Sequence, residues 1–350
     1  MHIQRQHWKR VLVSVGAAGL AIWLVAAAVR AHSFDWRLVL DSLARLRWKW
    51  LAVATIPVFG TYLGRALRWS VFLRPLRPRP SLPRLLEATI LGFTAITLFG
   101  RPGEVVRPYL IARNEGVPVS SQLAAWVLER LFDLLMALLA FAFALTRIEA
   151  SAAHPGPRLS QVLETGGRAA GVAGCLVLAM LLFLRHLADP VRRRLLAALG
   201  HLSEHRFRRI EGIVEAVVEG VRSTRSDAAM AAVFLYSLLE WFLIWSCYWC
   251  ISRAFSGLAR LGLVDVLMLM GLVSFGCVVQ IPGVGGGMQV AAVLVLTEMF
   301  HVGVELAGSF ALVLWIFTFV AVVPVGLLLG VRAGLNWRGL RGLSRPEAVQ

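Results

Sequence analysis

The sequence GRPGEVVRP, residues 100–108, places three charged residues and two prolines between two apolar segments, 84–99 and 109–112. A helix that crosses a membrane needs about 20 apolar residues, and neither segment reaches that length comfortably. Irregular backbone is tolerated at membrane depth only where protein or a water-filled cavity surrounds it. We therefore interpret residues 82–113 as a re-entrant helical hairpin, which enters the membrane and returns to the same side.

A second break, IPGVGGG at residues 281–287, lies between the apolar segments 263–280 and 288–300. Broken apolar segments at corresponding places in two halves of a chain point to a transporter binding site. We expect residues 263–300 to form a second re-entrant hairpin, whose glycines provide positive φ angles or close helix approach. The residues expected at the two turns are Pro102, Gly103, Pro282, Gly283, Gly285, Gly286 and Gly287.

The composition is that of a polytopic, all-α integral membrane protein. Hydrophobic residues make up 58% of the 350 residues and charged residues 16%, and the mean hydropathy is +0.71. The net charge of +16 arises from basic loops between apolar segments, so we interpret it as topology and expect no nucleic-acid partner. The four cysteines all lie in apolar segments and are expected to be buried hydrophobic residues. We expect no metal and no cofactor, because the sequence contains neither H-E-x-x-H nor a Walker motif.

The hydropathy pattern indicates one membrane domain with about six full spans besides the two hairpins. The first half covers 11–145 and the second 169–331, joined by a polar loop at 147–168. A segment with eight arginines, 188–227, is expected to be a cytoplasmic amphipathic linker, and 332–350 a basic tail. The predicted spans are 11–29, 50–72, 121–145, 169–187, 228–252 and 305–331. For the first of these, a cleaved signal peptide is the alternative.

The distribution of basic residues sets the predicted orientation. The terminal segments and the loops 73–84, 101–118 and 188–227 together carry 22 Lys and Arg residues, whereas the remaining loops carry 10. The positive-inside rule then places both termini in the cytoplasm. Each half reads as span, span, hairpin, span, and the halves start on opposite sides, so we expect an inverted repeat with hairpins entering from opposite faces.

Three charges of the first hairpin, Arg101, Glu104 and Arg107, are candidate lipid-binding residues. Arginine binds phosphate through a planar, bidentate fork, and intramembrane charges suggest function. The functional interpretation is a site for a lipid headgroup. The structural alternative is a Glu104–Arg107 pair that only stabilises the hairpin, since residues three apart on a helix are neighbours.

Glu129, Arg130 and Asp133 lie within one face of a predicted span, and a charged face at that depth must point into protein or water. Arg130 can pair with Asp133, which leaves Glu129 as the unbalanced acid. Two alternatives follow. Either Arg101 or Arg107 reaches Glu129 and the group forms a structural brace, or Glu129 takes up a proton and couples transport to protons. We favour the brace.

Five further charges lie in apolar segments. We expect Arg65 and Arg68 to extend to the membrane interface, with their aliphatic stems in the apolar region. The acids Glu240, Asp265 and Glu298 appear isolated in the sequence, and we expect little functional role for them.

Several of these segments together resemble a known family. They are GRPGEVVRPYLIARNEGVPVS at 100–120, LERLFDLL at 128–135, RALRW at 65–69 and the glycine-rich break at 282–287. The chain resembles the lysylphosphatidylglycerol synthase transmembrane-region family, also called the flippase-like domain family, over roughly residues 10–332. Many members carry an acidic residue soon after the glycine break, where this chain has Met288-Gln289. That difference argues against a proton-linked role at this position.

The resemblance implies lipid translocation in the inner membrane, without the soluble aminoacyl-transferase domain of longer relatives. We expect a protein that moves or handles an anionic or polyprenyl-type lipid, with membrane lipids as its partners, and that is not an enzyme. Two alternatives stay open. One is an accessory protein of an envelope-lipid pathway that makes hopanoids or glycolipids, and the other is a membrane enzyme that acts on a lipid headgroup.

Overall fold

The computed structural model describes residues 35–146, 157–198, 226–277 and 280–332, and this part of the chain is predominantly helical. The α-helices are α1 (Trp36–Ala44), α2 (Trp48–Leu73), α3 (Leu82–Phe99), α4 (Val106–Glu115), α5 (Val119–Thr146), α6 (Pro157–Ala198), α7 (Asp227–Ala254), α8 (Leu263–Gly276), α9 (Gly287–Phe300), α10 (Val304–Trp315) and α11 (Val323–Arg332). Short elements between them are two 3₁₀ turns (Arg101–Val105 and Ser256–Leu258), two strands, β1 (Gln280–Ile281) and β2 (Gly285–Gly286), and a π-helical turn (Ile316–Val320).

Four helical stretches of the described chain are long and apolar enough to cross a membrane: Trp48–Leu73, Leu82–Phe99, Asp227–Ala254 and Val304–Arg332. Three of them match predicted spans. The fourth, Leu82–Phe99, is α3, which the sequence analysis assigned to the first hairpin. Its 18 residues correspond to about 27 Å of helix, slightly less than the roughly 30 Å hydrocarbon core.

The boundaries of α6 differ from the prediction. A polar loop was expected at 147–168, but the helix already begins at Pro157 and runs 42 residues to Ala198. Proline is favoured at the first position of a helix, because its missing N–H would have no partner there. Gly167, inside the expected loop, lets α6 approach the side chain of Leu145 on α5. The predicted first span, residues 199–225 of the linker and residues 333–350 of the tail lie outside the described residues.

The first break forms a closed hairpin between α3 and α4. The chain turns at Gly100, whose φ of 70° favours glycine, and continues through a 3₁₀ turn into α4. Gly103 lies directly against the backbone of Ala95. At the other end, Arg77 binds Glu115, with 2.8 Å from Nε to Oε2 and 2.8 Å from Nη1 to the backbone oxygen. The two ends of the hairpin therefore meet.

The second break contains a small β-ribbon that the all-α prediction missed. β1 and β2 pair antiparallel around Pro282-Gly283-Val284, and Gly283, Gly285 and Gly286 have φ angles of 72°, 94° and 123°. Gly287 has no such angle and begins α9. Gln289 holds the ribbon: its Oε1 accepts from the Gly286 N–H (2.6 Å) and its Nε2 donates to the Val284 carbonyl (2.9 Å).

The ends of this hairpin also meet, since Arg260 Nη2 donates to the Phe300 carbonyl at 3.0 Å. The turns of the two hairpins then touch each other. The Gly283 N–H donates to the Thr97 carbonyl at 2.9 Å, and Gly100 packs close to Pro282. Arg101 Nη2 also donates to the Cys277 carbonyl at 3.3 Å. The two breaks, about 180 residues apart in sequence, form a single junction.

Candidate functional site

A cluster of seven charged side chains lies where α2, α4, α5 and α7 come together. We call it the charged cluster, and its members are Arg65, Arg68, Arg107, Glu129, Arg130, Asp133 and Glu240. Its centre is Arg68 on α2, whose side chain is 0% exposed. Arg68 contacts Glu129 Oε1 at 2.6 Å, Asp133 Oδ1 at 2.8 Å and Glu240 Oε2 at 3.1 Å.

The predicted interfacial position of Arg65 and Arg68 is therefore wrong, and so is the isolation of Glu240. Arg65 Nη2 contacts Glu240 Oε1 at 2.5 Å, and the Arg65 guanidinium lies 4.5 Å from the centre of the Phe93 ring. Buried charges are paired in native structures, because an unpaired one costs several kcal/mol. The sequence could not reveal these pairs, since Arg68 and Glu240 are 172 residues apart.

Arg107 comes from the first hairpin and is buried. Its Nη1 donates to Glu129 Oε1 at 3.1 Å and its Nη2 donates to Glu129 Oε2, which makes a bidentate pair. The guanidinium also lies against aromatic rings, 4.8 Å from the centre of Trp69 and 5.6 Å from that of Phe93. Of the two alternatives for Glu129, the structure shows the contact that the brace requires. The idea that Glu129 is the unbalanced acid is wrong, because it contacts Arg68, Arg107 and Arg130.

Two other arginines are much more accessible. Arg130 pairs with Asp133 at 3.1 Å, as predicted, yet its side chain remains 39% exposed. Arg101 is 48% exposed and pairs with Glu104 at 2.6 Å, whereas Arg107 pairs with Glu129, so the Glu104–Arg107 pair of the structural alternative does not form. The reason is the 3₁₀ turn at Arg101–Val105, in which side chains three residues apart are eclipsed.

These groups line a cavity of about 380 Å³ at the junction of the two hairpins. We call the charged part of its lining the charged wall. It consists of Arg65, Arg101, Glu104, Arg107, Arg130, Asp133 and Glu240, and most of the other lining residues are apolar or aromatic. Cys277 and Gln280 of the second hairpin also line the cavity. In the charged cluster four arginines face three carboxylates, which leaves an excess positive charge suited to an anion.

The predicted site residues fall into three groups. Arg101, Glu104, Arg107, Arg130 and Asp133 line the cavity, whereas Glu129 lies behind its wall. The turn residues Pro102, Gly103, Pro282, Gly283, Gly285 and Gly286 form the two turns, and Gly287 begins α9; none of the seven lines the cavity. The sequence analysis did not include Arg65, Arg68, Glu240 or Trp241 among the candidate site residues. The sequence feature that could have identified Arg65, Arg68 and Glu240 is their charge, because charged residues inside apolar segments suggest a functional role.

The comparison with protein-family models matches residues 11–326 to the family described as the lysylphosphatidylglycerol synthase TM region. A comparison with curated proteins finds no match. The match covers both hairpins and every residue of the charged cluster, and the apolar helices agree with it. The chain therefore belongs to the lysylphosphatidylglycerol synthase TM region family and is a helical, multi-pass membrane protein related to lipids.

Proposed function

We propose that the protein moves an anionic lipid between the two leaflets of the inner membrane, and that the cavity binds the lipid headgroup. The observation that carries this proposal is the arginine-rich wall of the cavity at the junction of the hairpins. Charged groups at membrane depth are costly and face a cavity or the protein interior when they serve a transport path.

The arginines of this wall divide into two roles. Arg68 and Arg107 are buried and paired with carboxylates, so they form a brace that fixes the geometry of the wall. Arg130 and Arg101 remain partly exposed at the cavity, with 39% and 48% of their side chains accessible. These two are the residues that meet a headgroup phosphate, which arginine binds in bidentate fashion.

The two hairpins form the path by which the lipid headgroup crosses the membrane. They form an inverted repeat, enter from opposite faces and meet at their turns, so that each closes one side of the cavity. This arrangement is supported by the two closed ends, Arg77 with Glu115 and Arg260 with Phe300, and by the contact between Thr97 and Gly283. Both termini are cytoplasmic, in line with the basic loops.

The test is transport in proteoliposomes with fluorescently labelled phosphatidylglycerol, read by chemical quenching of the outer leaflet. Arg130→Ala should lower the transport rate about tenfold or more, because a charge-assisted hydrogen bond contributes about 1.5–3 kcal/mol. Arg130→Lys should recover part of it, since lysine keeps the charge and loses the planar fork. The matched control is Arg168→Ala, whose side chain is 80% exposed on α6. Full transport in an Arg101→Ala/Arg130→Ala double variant would refute the headgroup site.

The same vesicles separate transport from the two alternative functions. The protein does not alter the lipid chemically, so mass spectrometry of the extracted lipid should show an unchanged mass while the lipid changes leaflet. A new lipid mass would identify a headgroup enzyme. Neither movement nor a new mass would favour an accessory role.

A further inference from the structure

A second cavity, outside the charged cluster, lies between α5, α7 and α8. We call it the apolar groove. Its volume is about 430 Å³, within the range of roughly 300–1,000 Å³ typical of ligand sites. Only apolar and aromatic side chains line it, among them Met136, Leu139 and Phe143 of α5, Leu238 of α7 and Leu267 of α8.

The apolar groove and the charged cavity are adjacent. Trp241 on α7 lines both of them. On α5, Asp133, Leu134 and Ala137 line the cavity, and Met136 begins the lining of the groove. These positions lie within about one helical turn, or about 5 Å along the axis. The gap between α5 and α7 therefore carries an apolar surface directly up to the charged wall.

We propose that the apolar groove binds an acyl chain of the anionic lipid whose headgroup enters the charged cavity, and that the gap between α5 and α7, beside Trp241, is the lateral entrance for this lipid. The inference rests on the proposed function and specifies its substrate as an acyl-chain phospholipid. An apolar surface alone gives no preference for one lipid over another, because all lipid tails are equally apolar. Continuity with a cationic cavity supplies that preference, since one molecule then satisfies both sites at once.

The length of the groove favours an acyl chain over a polyprenyl chain. Its lining on α5 extends from Met136 to Phe143, which corresponds to about 10 Å of helix. One leaflet of the hydrocarbon core is about 15 Å deep. The groove thus accommodates a chain confined to one leaflet, whereas a long polyprenyl chain would extend far beyond it.

The test uses the purified full chain in vesicles of phosphatidylcholine that contain phosphatidylglycerol with a photoreactive group in one acyl chain. After illumination, mass spectrometry locates the labelled residues. We expect labelling on the groove faces of α5, α7 and α8, and we expect unlabelled phosphatidylglycerol to suppress it at least tenfold more effectively than added phosphatidylcholine. Labelling spread evenly over the lipid-facing helices, or suppressed equally by both lipids, would mean ordinary boundary lipid and would overturn the inference.

A matched pair of variants on one helix makes the test specific. Leu238→Trp fills the groove, whereas Leu235→Trp makes the same change at an exposed position that lines neither cavity. The two leucines are 51% and 61% exposed. The first should reduce groove labelling about tenfold and the second should leave it unchanged. Leu139→Trp fills the groove from α5 and serves as an independent second variant. Only variants with the Tm of the unmodified protein are compared.

The result also separates this inference from the proposed function. Phosphatidylglycerol transport with groove labelling at background would refute the acyl-chain site and leave the headgroup site standing. Loss of transport in the Leu238→Trp variant, with transport retained in Leu235→Trp, would support the acyl-chain site. Stronger labelling and competition by a polyprenyl phosphate than by phosphatidylglycerol would overturn the assignment of the chain.

Discussion

At the scale of single residues, the contacts of Glu129 bear on whether the charged cluster is a brace or a proton site. Its carboxylate contacts Arg68, Arg107 and Arg130, and its side chain is 0% exposed. Burying a charge costs several kcal/mol, and several well-placed opposite charges are needed to offset it. This geometry favours a brace over a site that takes up protons, because three guanidinium groups stabilise the ionised carboxylate.

Replacing Glu129 with Gln should therefore destabilise the protein. The substitution leaves Arg107 without a carboxylate among the described residues, and breaking a buried pair from one side costs about 3–5 kcal/mol. Thermal unfolding in detergent should show a clearly lower Tm. The control is Glu164→Gln, the same chemical change in the Glu164–Arg168 pair, whose side chains are 65% and 80% exposed. Exposed ion pairs contribute about 0–1 kcal/mol to stability, so the Tm of this variant should hardly change.

The pH profile of transport decides between the two roles of Glu129. With a brace, any transport that remains in the Gln variant keeps the pH profile of the unmodified protein. A Gln variant that is stable and whose transport no longer responds to a pH gradient would show that Glu129 is a coupling site.

Among the elements, the first hairpin depends on close packing of α3 against α4. A Cβ added at Gly92 would lie 2.5 Å from Cβ and 3.2 Å from Cα of Arg107. Since Arg107 makes a bidentate pair with Glu129, this close approach connects the packing of two helices to the geometry of the cavity wall.

We expect Gly92→Ala to push α4 away from α3. Overpacking of this kind costs about 1–3 kcal/mol, so the Tm should fall, and transport should fall with it because Arg107 moves from Glu129. Gly308→Ala on α10 is the control, since an added Cβ there meets nothing within 4 Å. A Gly92→Ala variant with unchanged Tm and transport would show that α4 tolerates the shift and that this contact does not set the wall.

At the scale of the whole molecule, the two hairpins are closed at their ends and joined at their turns. Arginines bind across both closed ends, Arg77 to Glu115 and Arg260 to Phe300. A re-entrant hairpin places its two ends on one side of the membrane, and an inverted repeat places the two hairpins on opposite sides.

Cysteine labelling from each side of the membrane tests this arrangement in a background without the four native cysteines. Arg79→Cys and Asn114→Cys, at the ends of the first hairpin, should both react from the cytoplasm. Ser256→Cys and His301→Cys, at the ends of the second, should both react from the opposite side. All four positions are exposed. Reaction of the first pair from different sides would show that Leu82–Phe99 crosses the membrane.

The sequence alone determined the class of the protein, its family and the position of both breaks. These depend on local properties: apolar length sets helices, and proline and glycine end them. It also indicated that Glu129, Arg130 and Asp133 share a face, because helical periodicity is local. It failed at 157–168, where a polar stretch was interpreted as a loop although it forms the start of α6, with Gly167 packed against Leu145.

Only the tertiary structure decided which charges of different helices meet. Arg68 joins Glu129, Asp133 and Glu240 across three helices, and Thr97 meets Gly283 across two hairpins. Such contacts depend on how the helices pack and not on the spacing of residues along one helix. A buried charge needs a partner of opposite charge, but any such residue that packing brings within reach can fill that role. For the same reason the sequence could not separate Arg107, buried against Glu129, from Arg101 and Arg130, which remain accessible in the cavity.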